Sequence, residues 1–221
     1  MIAIVIGATG LIGKQLVNQL LTDNLYHEVK VFVRRPTGRE NPKLKEFTID
    51  FEELDQHSEF ISGDILFSVL GTTIKTAGSK KAQYKIDYGY QFAVAKIAAG
   101  NGVNKLILLS SIGADSTSKM FYPQMKGQLD EDVKSLGFEQ ISVLRPSMLE
   151  GNREDFRWAE KVFTPILKAA VLIPCWKKYR PIKDIVVANA MLNAVYQNDS
   201  SYHIYESNHL FLLAKINPLK K

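Results

Sequence analysis

The sequence predicts an α/β protein built on a doubly wound parallel sheet, one domain spanning residues 1–221. Three observations carry that reading. Short apolar runs alternate with longer amphipathic segments from the first residue, which is the pattern of repeated strand–helix–strand units. A turn with three glycines, Gly7, Gly10 and Gly13, joins the first apolar run to the first amphipathic segment. The 221 residues, 46% hydrophobic and 23% charged, are enough to bury a core without cross-links.

In chain order, strands are expected at Ile2–Ile6, Val29–Val33, Glu46–Ile49, Ile65–Leu70, Lys105–Ser110 and Gln140–Leu144, with a further candidate at Tyr202–Tyr205. Each closes near Gly, Ser, Arg or Asp, residues that end strands. Two crossover helices are legible. Leu11–Leu21 places Leu11, Ile12, Leu16, Val17 and Leu20 near one helical face, and Tyr84–Ala99 does the same with Tyr84, Tyr88, Phe92, Ala95 and Ala99. Arg34–Pro42 is rich in turn formers and reads as a loop. Across 150–180, an amphipathic stretch, Pro165 and an apolar run predict a small cap over the carboxyl edge of the sheet, where open α/β sheets bind ligands.

The glycine turn supplies the first chemistry. Gly7-Ala8-Thr9-Gly10-Leu11-Ile12-Gly13 follows a strand and opens a helix, the context that a Rossmann dinucleotide fingerprint requires. One glycine allows the tight turn, one lets the backbone approach a pyrophosphate, and the last lets helix and strand pack closely. The helix N–H groups then face the anion. Thr9, Leu11 and Ile12 belong to the same contact surface. A P-loop is excluded, because Gly13-Lys14 would need glycine at position 8 and Ser or Thr at 15, where the chain has Ala8 and Gln15. About twenty residues on, where an acidic residue would bind the NAD ribose, the second strand ends in Arg34-Arg35. That favours NADP(H), since a guanidinium pairs bidentately with a 2′-phosphate. Two solvated arginines at a strand end are the alternative at this point.

Tyr122 and Lys126 are four residues apart, hence on one face of a helix. The same spacing occurs at Tyr26/Lys30 and Tyr179/Lys183, so position decides. Only Tyr122/Lys126 follows the strand Lys105–Ser110 and its loop, which puts the pair at the carboxyl edge. A phenol works as an acid–base catalyst near neutral pH only with cationic help, which Lys126 would supply. Pro123 points to Tyr122 lying near the helix start. Ser111 could donate to a substrate carbonyl oxygen, Ser110 being the lesser choice. A serine closing its own strand turn is the plainer reading.

Taken together, Gly7–Gly13, Arg34-Arg35, Leu70-Gly-Thr-Thr73, Leu108 to Asp115, Tyr122-x-x-x-Lys126-Gly127 and Leu144-Arg-Pro-Ser147 resemble the short-chain dehydrogenase/reductase superfamily. The resemblance is to its atypical NADP(H)-binding branch, which includes the Tat-interacting tumour-suppressor-like oxidoreductases, and it covers Ile2 to Val195. It implies that Asp50 and Phe51 border the adenine, that Leu70, Gly71 and Thr72 pass beside the adenosine ribose, and that Pro146 and Ser147 sit near the nicotinamide. It also implies a mechanism: hydride passes between the nicotinamide and a carbonyl carbon, Tyr122 exchanges the proton, Ser111 orients the oxygen and Lys126 holds the ribose. The chain departs from the pattern in two ways. It lacks the long substrate domain of sugar-nucleotide epimerases, and the family's helix asparagine has no clear equivalent, Asp87 being nearest.

The expected function is an NADP(H)-dependent oxidoreductase acting on a small carbonyl or quinone. The alternative is a redox-sensing NADP(H)-binding regulator without significant turnover. The single cysteine, Cys175, excludes a disulfide framework and a cysteine zinc cage, and no histidine has metal-ligand spacing, so no metal is expected. The net charge of +5 is too diffuse to mark a nucleic-acid surface. No apolar run reaches the ~18 residues of a membrane span. An apolar strand starting at Ile2 leaves no room for an export signal, so a cytoplasmic location is expected. Trp158, Phe163, Leu167, Val171 and Trp176 read first as core or pocket wall, and second as a homodimer or membrane-surface face.

Overall fold

The computed structural model describes residues 1–150, 180–197 and 201–216. Seven strands form one parallel sheet: β1 (Ile2–Ile6), β2 (Glu28–Val33), β3 (Leu44–Thr48), β4 (Ile65–Ser68), β5 (Lys105–Leu109), β6 (Gln140–Arg145) and β9 (Tyr202–Glu206). Their spatial order is β3-β2-β1-β4-β5-β6-β9. The order reverses between β1 and β4, and that switch point opens a crevice above the carboxyl ends of both strands. Tyr202–Tyr205, a candidate in the sequence, is the core of the edge strand β9, with Ile141 opposite Tyr202 and Leu144 opposite Tyr205.

Each face of the sheet is covered, which is why the central strands read as unbroken apolar runs. On one face α1 (Leu11–Thr22) buries Ile12, Leu16, Val17 and Leu20 beside α6 (Asp184–Ala194), which buries Val187, Ala188 and Met191. Gln15 of α1 donates to Asp184 at 3.2 Å across that contact. On the other face Val94, Ala95 and Ala98 of α4 (Gln91–Gly100) and Leu129 of α5 (Phe121–Asp132) cover Ile4, Ile6, Leu66 and Leu106. The short helix α7 (Asn208–Leu213) is held by Asn193, whose amide donates to Leu213 O and Ile216 O at 2.8 Å each.

Three elements differ from the sequence reading by two residues or more, for local reasons. β3 starts two residues early because Leu44–Thr48 runs in register with Val29–Val33. β4 stops at Ser68 rather than Leu70, because the Val69–Leu70 backbone turns against Gly7. The helix read at Tyr84–Ala99 begins earlier as α3 (Lys80–Tyr84), capped by Ser79, which accepts from Ala82 N at 3.1 Å. It then widens into a π-helical segment over Lys85–Tyr90 before continuing as α4. Such widenings recur at functional sites. The short helix α2 (Ile74–Ala77) precedes it, capped by Thr73.

The cap expected over 150–180 lies, except for its ends, outside the described residues, as do Trp158, Phe163, Leu167, Val171, Cys175 and Trp176. Its ends meet: β7 (Leu149–Glu150) pairs in parallel with β8 (Ile182–Lys183).

Gly7 and Gly13 fix the junction of β1 and α1. Gly7 has φ +84°, and a Cβ there would stand 2.6 Å from Leu70 N. A Cβ at Gly13 would stand 2.1 Å from Gly7 O, a contact with backbone that a rotamer change cannot relieve. Gly13→Ala is therefore expected to destabilise the fold by about 1–3 kcal/mol, read as a lower denaturation midpoint with an unchanged denaturant slope.

Candidate functional site

The crevice at the switch point is a cavity of about 830 Å³, within the range of cofactor and ligand sites. At one end lie Gly7, Thr9, Gly10, Leu11 and Ile12, the glycine turn and the first turn of α1. Gly10 precedes that helix without a side-chain cap, and no acidic side chain sits in its first turn. The positive end of a twelve-residue helix is thus left for an anion. The close backbone approach at Gly7 and this open helix end together fit a pyrophosphate.

The middle of the cavity is the loop after β4. Val69 N donates to Ile6 O at 3.0 Å, and the chain then passes Leu70, Gly71 and Thr72 along the wall. Two side chains from the α3 and π-helical segments grip this loop. Asp87 Oδ1 accepts from Thr72 N at 2.9 Å, and Gln83 Nε2 donates to Thr72 O at 3.0 Å. Behind them Ser68 Oγ donates to Gln91 Oε1 at 2.7 Å, and Gln91 Nε2 donates to Asp87 O at 2.6 Å. Gln83, Asp87 and Gln91 are each at most 3% exposed, so the clamp is part of the core.

The far end is built from the loop after β5 and the start of α5. Ser110 N donates to Leu144 O at 2.8 Å and Ile112 N to Pro146 O at 2.9 Å, which stitches Ser111 between the β5 and β6 chain ends. Ser110 Oγ is committed to Asp130 Oδ2 at 2.9 Å, whereas Ser111 Oγ makes, among the described residues, only a long contact of 3.4 Å to Ile112 O. Ser111, Tyr122 and Lys126 all line the cavity, Tyr122 41% exposed at its mouth and Lys126 3% exposed at its floor. Helix α5 starts at Phe121, with Tyr122 and Pro123 in its first turn. It lies hard against the preceding loop, because a Cβ at Gly127 would stand 2.2 Å from Ser116 N. Of the other pairs of the same spacing, Tyr26 is buried in the α1-side core, away from this place, and Tyr179 lies outside the described residues.

Of the residues singled out in the sequence, Gly7, Thr9, Gly10, Leu11, Ile12, Arg34, Leu70, Gly71, Thr72, Ser111, Tyr122, Lys126, Pro146 and Ser147 line this one cavity. Four do not. Gly13 sits beneath the turn, and Arg35 is exposed outside the cavity. Asp50 is also exposed and accepts from Glu52 N at 2.9 Å. Phe51 is 5% exposed, its ring stacked 5.3 Å from that of Tyr90 in the core. Sequence reasoning missed Gln83 and the wall made by Ile74, Ile112, Met148 and Leu149. The strongest available signal was Asp87, noted only as nearest to a family asparagine. Among the described residues no group of three or more His, Cys, Asp or Glu could hold a metal ion, and no helix is long and apolar enough to cross a membrane.

Residues 7–164 match the family described as NAD(P)H-binding. The chain is 34% identical over 202 residues to the protein fmp52, mitochondrial, of Aspergillus clavatus, covering 86% of this chain and 84% of that one. It is 32% identical over 196 residues to the protein HTATIP2 of Rattus norvegicus, covering 86% and 78%. The fungal relative is named as mitochondrial, a location that differs from the cytoplasm expected from the sequence. Among solved structures, the UDP-glucose 4-epimerase of Thermotoga maritima superposes with a TM-score of 0.68 at 18% identity, covering 97% of this chain and 82% of that one. The dTDP-glucose 4,6-dehydratase of Streptomyces venezuelae, solved with NAD bound, gives 0.68 at 14% identity, covering 94% and 75%. Those two likenesses show the fold. The family match and the two relatives place the chain in the NAD(P)H-binding family, in the atypical short-chain dehydrogenase/reductase branch.

Proposed function

We propose that this chain is an NADP(H)-dependent oxidoreductase that moves a hydride between the nicotinamide and a small carbonyl or quinone. The observation that carries the proposal is the continuity of the cavity, which joins the glycine turn to Ser111, Tyr122 and Lys126 in one space. When bound, the cofactor supplies a hydride at C4 of its nicotinamide.

The chain's own residues do the rest. The backbone of Gly7 and Gly10 and the first turn of α1 hold the pyrophosphate. Leu70 to Thr72, fixed by Gln83 and Asp87, run beside the adenosine ribose. Pro146 and Ser147 border the nicotinamide, the latter with its hydroxyl bonded to Arg180 O. Lys126 holds the nicotinamide ribose from the cavity floor. In the reducing direction a C–H bond forms at the carbonyl carbon, the C=O π pair moves to oxygen, and the Tyr122 phenol gives that oxygen its proton. Ser111 donates a hydrogen bond to the same oxygen and orients it. The substrate end is walled by Ile112, Met148 and Leu149, which suits an apolar carbonyl compound. Asp50 and Phe51 are left out of the contact set, because the Phe51 ring is spent in the core.

The preference for NADP(H) rests on cations around Thr9. Arg34 lines the main cavity, and Lys14 and Arg39 line a smaller one of about 280 Å³ that shares Thr9 with it. Three cations beside the adenosine end suit a 2′-phosphate.

The test follows NADPH oxidation at neutral pH over a panel of aldehydes, ketones and quinones, with Tyr122→Phe beside the wild type. Turnover is expected in the wild type and a loss of about 10²–10⁴-fold in the variant, with NADPH still bound and NADH bound more weakly. Turnover untouched by the substitution removes Tyr122 from the mechanism. Binding of NADPH without any turnover points instead to a cofactor-sensing regulator.

A further inference from the structure

Helix α5 carries Tyr122 and Lys126, and it also carries a glycine that its own conformation does not call for. Gly127 lies inside Phe121–Asp132 with helical backbone, where glycine disfavours the helix relative to alanine. A contact explains it. A Cβ on Gly127 would stand 2.2 Å from Ser116 N, 2.3 Å from Asp115 C and 2.5 Å from Asp115 N, all of them backbone atoms that no rotamer change can move aside. The turn at Asp115 and Ser116 therefore rests directly on the main chain of α5.

That turn belongs to the loop that carries Ser111. Ala114 N donates to Ser111 O at 3.1 Å, and Asp115 N donates across to Pro123 O at 3.0 Å. Asp115 braces the turn from within, its Oδ1 accepting from Thr117 N at 2.9 Å and from Thr117 Oγ1 at 2.7 Å. Pro123 and Gly127 are one helical turn apart, so the loop is laid along α5 at two points. Each point follows a site residue, Tyr122 or Lys126, by one position. Near the end of α5, Asp130 accepts from Ser110 Oγ and from Arg145 Nε, each at 2.9 Å.

The two site residues depend on this docking unequally. Lys126 lies among Met125, Leu129 and Asp130, all buried, which hold that part of the helix to the core. Tyr122 lies in the first turn between exposed Met120 and exposed Gln124, and the bond from Asp115 N to Pro123 O joins that turn to the loop.

We propose that Gly127 is a positioning residue for Tyr122. By admitting the turn at Asp115 and Ser116 to the helix backbone, it anchors the first turn of α5 to the Ser111 loop and fixes the phenol relative to the Ser111 hydroxyl. This rests on the proton transfer proposed above for Tyr122. Non-bonded heavy atoms keep about 3.5 Å apart, so a side chain at 127 would part loop and helix by about 1 Å. At a reacting centre a displacement of about 1 Å costs about a hundredfold in rate.

The experiment measures kcat with NADPH and menadione, and the Kd for NADPH by fluorescence titration, on the whole protein. It compares wild type, Gly127→Ala, Asp115→Ala, Asp115→Asn and Gly100→Ala, and adds a crystal structure of Gly127→Ala with NADPH. Gly127→Ala is expected to lower kcat about a hundredfold at an unchanged Kd, and its structure to show Tyr122 displaced from Ser111. Asp115→Ala is expected to lower kcat in the same way, and Asp115→Asn, which keeps an acceptor for Thr117, to retain it. Gly100→Ala adds a Cβ with nothing within 4 Å and should match the wild type. Wild-type kcat in Gly127→Ala overturns the proposal, as does a fall in kcat and NADPH affinity by one common factor, the mark of a general loss of folded protein. An equal loss in Gly100→Ala also counts against it. A wild type that does not turn menadione over, or a Tyr122→Phe variant as active as the wild type, bears on the proposed function. The Gly127→Ala structure then decides separately, and Tyr122 unmoved against Ser111 overturns the placement. Should Gly127→Ala fail to fold, the exposed Asp115 pair decides, and equal kcat in its Ala and Asn variants counts against the proposal.

Discussion

The carboxyl edge of this molecule depends on how closely three stretches of backbone approach one another at Gly7 and Gly13. The end of β1, the start of α1 and the loop after β4 meet at distances that exclude any side chain, 2.1 Å from a Cβ on Gly13 to Gly7 O and 2.6 Å from one on Gly7 to Leu70 N. Two consequences follow from that contact. Helix α1 is held against the sheet, so that Leu16, Val17 and Leu20 reach the core beneath β1 and β2. The N-terminus of α1 is also left bare at the crevice, where the proposed cofactor would place its pyrophosphate. Stability and ligand geometry therefore share one set of atoms.

The middle and the far end of the cavity are supported differently, largely by buried polar groups. Gln83 and Asp87 hold both the N–H and the C=O of Thr72, while Asp130 holds Ser110 and Arg145. Buried polar groups are tolerated only when bonded, and once bonded they fix loops more narrowly than apolar contacts can. Ser111 and Tyr122 lie on a loop and a first helical turn, segments with freedom of their own. Their relative placement is inherited from these clamps and from the close seat of Gly127 against Asp115 and Ser116.

The parts of this design that repeat with a period, or that require glycine, were legible in the sequence. The six strands, helix α1 and the glycine turn announce themselves by apolar runs and by residues that only one conformation accepts. Tyr122 and Lys126 were legible through position, since two other pairs in the chain share their spacing. What stayed hidden depends on contacts between distant segments. The widening at Lys85–Tyr90 leaves no mark in a pattern read at 3.6 residues per turn, and it governs where Asp87 points. Phe51 was expected at the adenine and instead stacks on Tyr90, because the turn at Asp50 directs its ring inward. Asp130 carried no signal at all, being an ordinary acidic residue on a helix until Ser110 and Arg145 are brought to it by β5 and β6.

The most direct test of the account is a structure of the chain with NADPH bound. The account expects the pyrophosphate against the N-terminus of α1, the 2′-phosphate beside Thr9 and Arg34, and the nicotinamide ribose within hydrogen-bond reach of Lys126, its C4 facing Tyr122 and Ser111. A dinucleotide bound elsewhere, or one whose nicotinamide end lies away from Ser111, Tyr122 and Lys126, would contradict it.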